Sequence, residues 1–161
     1  DENSWNGTVE ERYGEAGDAM AVLAATLLDM PLVYSGQESF NRDRLRFFEK
    51  DTVEWGDYSK SDFYRQLNGL NHTREALWNG DHGGAPHVLA TSADDHVFAF
   101  VKEKNESTVV VILNLSADPQ EVSLTLPDAA LNVVMGEGNT EGWGEGQTLG
   151  PWSYCVLATE G

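Results

Sequence analysis

Apolar positions fall into two regimes along this chain. Up to about residue 80 they come in helix-length stretches, and beyond it in short runs separated by turn residues. Ala19 to Leu28 is apolar throughout except for Thr26. That pattern predicts a helix buried on most of its surface, with Asp18 favourable at its N-terminus. Pro31 stops it, because a proline disfavours the helical conformation in the residue before it. Leu32-Val33-Tyr34, bracketed by Pro31 and Gly36, has strand length and lacks alternation. It predicts a strand covered on both faces, as in a parallel sheet. Ser59 to Trp78 carries Phe63, Leu67, Leu70 and Leu77 at helical spacing, with Ser59 or Ser61 as cap and Gly80 as terminator. Between strand and helix lies a long connection, Ser39 to Gly56, rich in arginine and aromatics; connections this long are often functional. Thr8 to Gly14 reads as a charged loop or short turn.

The glycine pair in Asp81 to Pro86 marks the best boundary, dividing the chain into 1–82 and 83–161. His87–Ser92, His96–Glu103, Thr108–Leu115, Glu121–Leu126, Leu131–Met135 and Trp152–Ala158 predict short strands, with turns at Asp94-Asp95, Lys104-Asn105 and Ala117-Asp118-Pro119. Strands at this spacing indicate an antiparallel sandwich or barrel. Gly136 to Gly150 is expected to be a long hairpin loop, and the part after Pro86 is the part expected to fold by itself.

Charge narrows the function classes. The chain has 161 residues and a net charge of −17, with 10 basic residues against 27 acidic ones. Phosphate backbones need clustered Lys and Arg, so nucleic acid and anionic membrane surfaces are excluded as partners. The acidity fits adaptation to high salt or an ordinary acidic soluble protein. A single cysteine, Cys155, rules out an intrachain disulfide and sits in an apolar run, as a buried structural thiol does. Ala19–Leu28 is too short to span a bilayer. No signal peptide is visible at Asp1-Glu2-Asn3-Ser4, and without an initiator Met a processed or excised start is expected. A soluble protein is expected, with a secreted or periplasmic location left open.

Several residues could carry chemistry. Gln37 and Glu38 follow the predicted strand, where α/β folds place substrate contacts; loop-bracing is the other reading. Glu38 with Glu49, Asp51 or Glu54 could make an acid pair, but 27 acids bring some together without purpose. His72, His82, His87 and His96 lack metal spacing. Asp94-Asp95 reads as a turn before a calcium ligand, and Trp143 and Trp152 as packed indoles before sugar-stacking ones.

Three motifs in order carry a resemblance. Asp1-Glu2-Asn3-Ser4-Trp5, with Thr8, Glu11 and Arg12, resembles the segment after the seventh barrel strand of the α-amylase family of glycoside hydrolases. Met30 to Glu38 is similar to that family's eighth strand and following loop. Arg46-Phe47-Phe48-Glu49-Lys50-Asp51 with Trp55 resembles the approach to its eighth helix, and the strand-rich half matches its C-terminal domain in position and size. The resemblance implies an α+β fragment: the last helices and last strand of a (β/α)8 barrel in 1–82, then an antiparallel Greek-key β-sandwich in 83–161. It implies that Asp1 is the transition-state-stabilising acid and that Gln37 and Glu38 touch substrate. It further implies a parent that is a retaining hydrolase of α-glucans such as starch or maltodextrin. Such enzymes need a nucleophile and an acid about 5–5.5 Å apart, which the family takes from its fourth and fifth strands. Alone, the 161 residues are therefore expected to be inactive. No cofactor is expected in this stretch, while calcium is possible in the parent. Exposed barrel surfaces are expected to drive self-association or partial disorder. The alternative is a non-catalytic carbohydrate-binding or bracing module.

Overall fold

Helices and strands segregate along the chain, and a single sheet joins them. The computed structural model describes residues 2–27 and 30–160. Four α-helices come first: α1 (Glu2–Asn6), α2 (Val9–Tyr13), α3 (Gly17–Leu27) and α4 (Ser61–Thr73). Seven strands follow: β1 (Pro86–Leu89), β2 (Val97–Lys104), β3 (Ser107–Asn114), β4 (Gln120–Val122), β5 (Asn132–Gly136), β6 (Gln147–Leu149) and β7 (Tyr154–Ala158). The larger sheet has the order β1-β2-β3-β7-β5, and β4 pairs with β6 in a second, smaller sheet; every pairing is antiparallel.

Alternation decides what each face of the larger sheet meets. Phe100 of β2, Val109, Val111 and Leu113 of β3, and Val156 and Ala158 of β7 point to one side. There they share a core with Ala19, Val22 and Ala25 of α3, Leu67 and Leu70 of α4, and Ala76 and Leu77. Their neighbours Ala99, Val101, Val110, Ile112, Cys155 and Leu157 point to the other side, against Val122, Leu124, Trp143 and Leu149. Strand side chains alternate between faces, so a sheet buried on both sides reads as an almost unbroken apolar run. The run from Thr108 to Asn114 is buried throughout. The result is three layers: helices, five-stranded sheet, and the small sheet with its loop.

Local chemistry sets the turns. Asn105, left-handed at φ 50°, tightens the β2–β3 hairpin, a conformation Asn tolerates better than most residues. Asp94 Oδ1 accepts from the backbone N–H and hydroxyl of Thr91, at 2.6 and 2.8 Å, so the Asp94-Asp95 pair belongs to a turn.

The structure corrects four expectations. Leu32-Val33-Tyr34 is not a strand: it has no ladder partner among the described residues, and Leu32 is 79% exposed. A strand exists only through its neighbours, and a run suited to two-sided burial has neither neighbour nor cover here. The helix expected over Ser59–Trp78 ends at Thr73, where the extended Arg74 breaks it. Leu77 still reaches the core through a separate 3-10 turn, Glu75–Leu77, pinned to the sheet when Ala76 N–H donates to Ser107 Oγ. Lys60 occupies the N-cap position without a side-chain cap bond, so neither Ser59 nor Ser61 caps α4. Finally, Gly136–Gly150 is no plain hairpin loop. It leaves the larger sheet after β5, delivers Trp143 and β6 to the smaller one, and returns to β7.

Candidate functional site

Residues 2–12 and 36–51, from two of the segments that carry the resemblance, are brought together. Asp1 lies outside the described residues. Helix α1 begins at the next residue, and its Asn3 Oδ1 accepts from Leu45 N–H at 2.7 Å. Ser4 Oγ donates to the Leu45 carbonyl oxygen. Arg42 Nε sits 2.9 Å from Glu10 Oε2, and Arg44 grips both oxygens of Glu11 at 2.8 and 3.1 Å. Glu11 is itself fixed: its Oε2 accepts from Thr8 N–H at 2.8 Å while Thr8 Oγ1 accepts from Glu11 N–H at 3.2 Å. This reciprocal cap starts α2. Arg44 first, then the Thr8 backbone, hold the Glu11 carboxyl below its ordinary value. Thr8–Gly14, a charged loop or short turn on its composition, is instead helical over Val9–Tyr13, and the Thr-x-x-Glu spacing is the signal of this helix start.

A tight turn carries Gln37 and Glu38. Gly36 is left-handed at φ 93°, and a β-carbon there would stand 2.8 Å from the Asn41 side chain and 2.9 Å from Val53, so only glycine fits. The 3-10 turn Gln37–Ser39 follows. The two candidates then diverge. Gln37 folds onto its own turn, its Oε1 accepting from Tyr34 N–H at 2.7 Å, yet it still lines a cavity of about 720 Å³. That cavity lies among α1, α2, the start of α3 and the Gly36 turn; Arg12, Asp18, Asn41 and Lys60 supply much of its polar wall. Glu38 does not line it. Its Oε2 is buried without a hydrogen-bond partner among the described residues. Across the cavity Lys60 Nζ holds Asp18 at 2.7 and 2.9 Å. Tyr64 is pushed up to about 12, first by burial and then by the Asp18 and Glu38 charges.

Asp51, one of the acids raised from sequence, is shifted away from acid–base work. A proton-donating carboxyl needs its pKa raised by burial or a neighbouring charge. Asp51 departs the other way, held down by the backbone N–H groups of Arg46 and Thr52. Glu2, Glu11 and Asp94 are lowered as well. Trp143 is 2% exposed, with Nε1 donating to the Asn139 carbonyl at 2.7 Å, so it anchors a loop and stacks on nothing external. The four histidines are exposed and scattered. Among the described residues no three His, Cys, Asp or Glu side chains gather as calcium or zinc ligands would.

No family model matches the chain. A sequence relative does: an α-amylase from Haloarcula japonica, MalA, is 30% identical over 129 residues, which is 78% of this chain and 19% of the relative. The resemblance to the α-amylase family holds. The fold is shared with solved structures. A debranching enzyme from Nostoc punctiforme superposes with a TM-score of 0.62 at 19% identity, over 89% of this chain and 31% of its own. A trehalose-6-phosphate hydrolase from Bacillus licheniformis gives 0.65 at 13% identity, over 93% and 40%. The chain thus spans about a fifth of the α-amylase relative and a third or so of these structures. Among the described residues no helix is long and apolar enough to cross a membrane.

Proposed function

We propose that the chain is the C-terminal portion of a retaining glycoside hydrolase acting on α-glucans of the starch and maltodextrin class. One observation carries this: 30% identity to an α-amylase across 129 residues, which take in most of this chain. In this reading residues 1–82 close the catalytic barrel and 83–161 form the C-terminal β-domain. Asp1 stabilises the transition state, and the nucleophile and general acid come from residues outside these 161. The exposed aliphatic run Met30, Leu32 and Val33 is then the last barrel strand awaiting its neighbours. The unpartnered Glu38 Oε2 suits a wall completed from outside the chain, since buried carboxylate oxygens are nearly always hydrogen-bonded. Gln37, lining the cavity, is the better placed of the two for substrate. The core shared by helices and sheet gives the β-domain a bracing role as well.

The test is the longer protein carrying this stretch, assayed for reducing ends released from maltoheptaose. Hydrolysis is expected, and Asp1→Asn should lower kcat by roughly a hundredfold or more, the scale of losing a group that stabilises developing charge. An Asp1→Asn enzyme with unchanged kcat would overturn the assignment of Asp1. A longer protein inert on every α-glucan would overturn the substrate class.

A further inference from the structure

We propose that Lys60 is a positioning residue for the turn that carries Gln37 and Glu38: its ammonium, fixed by Asp18 and set over the Phe40 ring, holds that turn in a shape its own backbone does not favour. The consequence for substrate binding rests on the reading of Gln37 given above. The turn is bracketed by two left-handed residues, Gly36 at φ 93° and Phe40 at φ 53° and ψ 43°. Glycine takes that conformation freely, whereas a bulky residue takes it only where its surroundings enforce it. Phe40 N–H donates to the Gln37 carbonyl at 3.0 Å, and Asn41 N–H donates to the Gly36 carbonyl at 2.9 Å. The left-handed step at Phe40 thus closes the chain around Gln37–Ser39. Relaxing Phe40 would open those bonds and free Gln37 from its place on the cavity wall.

What enforces Phe40 comes from far along the chain. Lys60 Nζ stands 5.6 Å from the Phe40 ring centroid and 5.7 Å from that of Phe63, and Arg42 Cζ stands 5.0 Å from that of Phe40. A cation within about 6 Å of a ring face is attracted by the ring quadrupole. Arg42 belongs to the same loop as Phe40, whereas Lys60 occupies the N-cap position of α4. The Lys60 ammonium grips both carboxylate oxygens of Asp18, at 2.7 and 2.9 Å, in the first turn of α3. Its backbone N–H donates to the Glu38 carbonyl at 3.0 Å. Both helices are seated on the larger sheet, α3 through Ala19 and Val22 and α4 through Leu67 and Leu70. Lys60 therefore ties the turn to the packed core by an ion pair, a ring contact and a backbone hydrogen bond. A group held this way acts on substrate only through the side chain it positions, and that side chain is Gln37.

Hydrogen–deuterium exchange and steady-state kinetics of the longer protein carrying this stretch test this together. Lys60→Met keeps the aliphatic stem and removes the charge. Exchange in the peptide spanning residues 34–42 should quicken about tenfold. KM for maltoheptaose should rise about tenfold with kcat changed by less than about twofold, the pattern of a contact made equally in ground and transition states. Lys60→Arg should restore both readouts to within about twofold, because a guanidinium also pairs with carboxylates and stacks on rings. Phe40→Leu, apolar but without a ring face, should reproduce the effect of Lys60→Met. Combining the two should add little, because both break one contact. Arg65→Met, which deletes a cation paired with Asp62 on the same helix, should change neither readout. Unchanged exchange over 34–42 in Lys60→Met would overturn the clamp, and faster exchange with an unchanged KM would overturn its role in the site. A longer protein inert on maltoheptaose would instead count against the hydrolase reading, and the exchange result would still decide the clamp.

Discussion

Thr8 and Glu11 are two residues with three tasks: they start α2, they fix a carboxylate, and that carboxylate holds Arg44 of the distant loop. Thr8→Ala should cost about 1 kcal/mol by urea denaturation, the usual loss for a removed cap, and loosen residues 41–51 in amide exchange. The pH dependence follows from sign. Glu11 has a folded pKa lowered below its ordinary 4.5, so its stabilising contribution is complete above that value and is lost as pH falls through the folded one. Acidification below 4.5 and through the lower folded pKa of Glu11 should therefore detach the loop, seen in Trp5 emission, before far-UV circular dichroism changes. Coincident changes in the two signals would contradict it. Cys155 shows burial acting alone: its thiol is pushed up to about 12. It should resist a thiol reagent at pH 8 until the protein unfolds, and prompt stoichiometric reaction of the native chain would contradict the packing.

At the scale of elements, the two-faced sheet makes the strongest demand. Phe100, Val109, Val111 and Leu113 are wholly buried only because α3, α4 and the Glu75–Leu77 turn lie over them. A truncated protein starting at residue 83 should therefore expose that face, bind a hydrophobic dye and self-associate. A monodisperse, dye-silent truncation would show that the strands suffice. Much of this was legible beforehand. Continuous Val and Leu runs announced β2, β3 and β7, and the apolar run from Ala19 announced α3. The strand at Leu32 failed because a sequence run reports suitability for burial, whereas a strand needs partners that these residues do not supply. β6 was hidden because three residues, Gln147–Leu149, with one buried leucine, carry too little periodicity amid glycines. At the candidate site the types of Gln37 and Glu38 were readable, but their divergence, one toward the cavity and one away, depends on the left-handed Gly36 turn. The Lys60–Asp18 contact joins positions 42 residues apart, which no local pattern reveals.

Over the whole molecule, charge is the dominant unbalanced quantity. Arg12, Arg42, Arg44, Arg46, Lys60 and Arg65 are engaged in ion pairs among the described residues. After residue 82 eleven acids face two lysines. Self-repulsion on that scale destabilises a compact state, and screening relieves it as the Debye length shrinks from about 10 Å at 0.1 M salt to about 3 Å at 1 M. The melting temperature should rise by at least about 3 °C over that interval in NaCl, equivalent to roughly 1 kcal/mol for a chain of this size. A flat or falling Tm would show that the pairs, and not the net charge, dominate. The central claim is that this stretch closes a glycosidase site without holding the acids that drive it. Reducing-end release from maltoheptaose, measured side by side for the purified 161-residue chain and the longer protein, tests this most directly. The account predicts turnover by the longer protein and none by the chain; turnover by the chain itself that co-purifies with it and survives Asp1→Asn would contradict it.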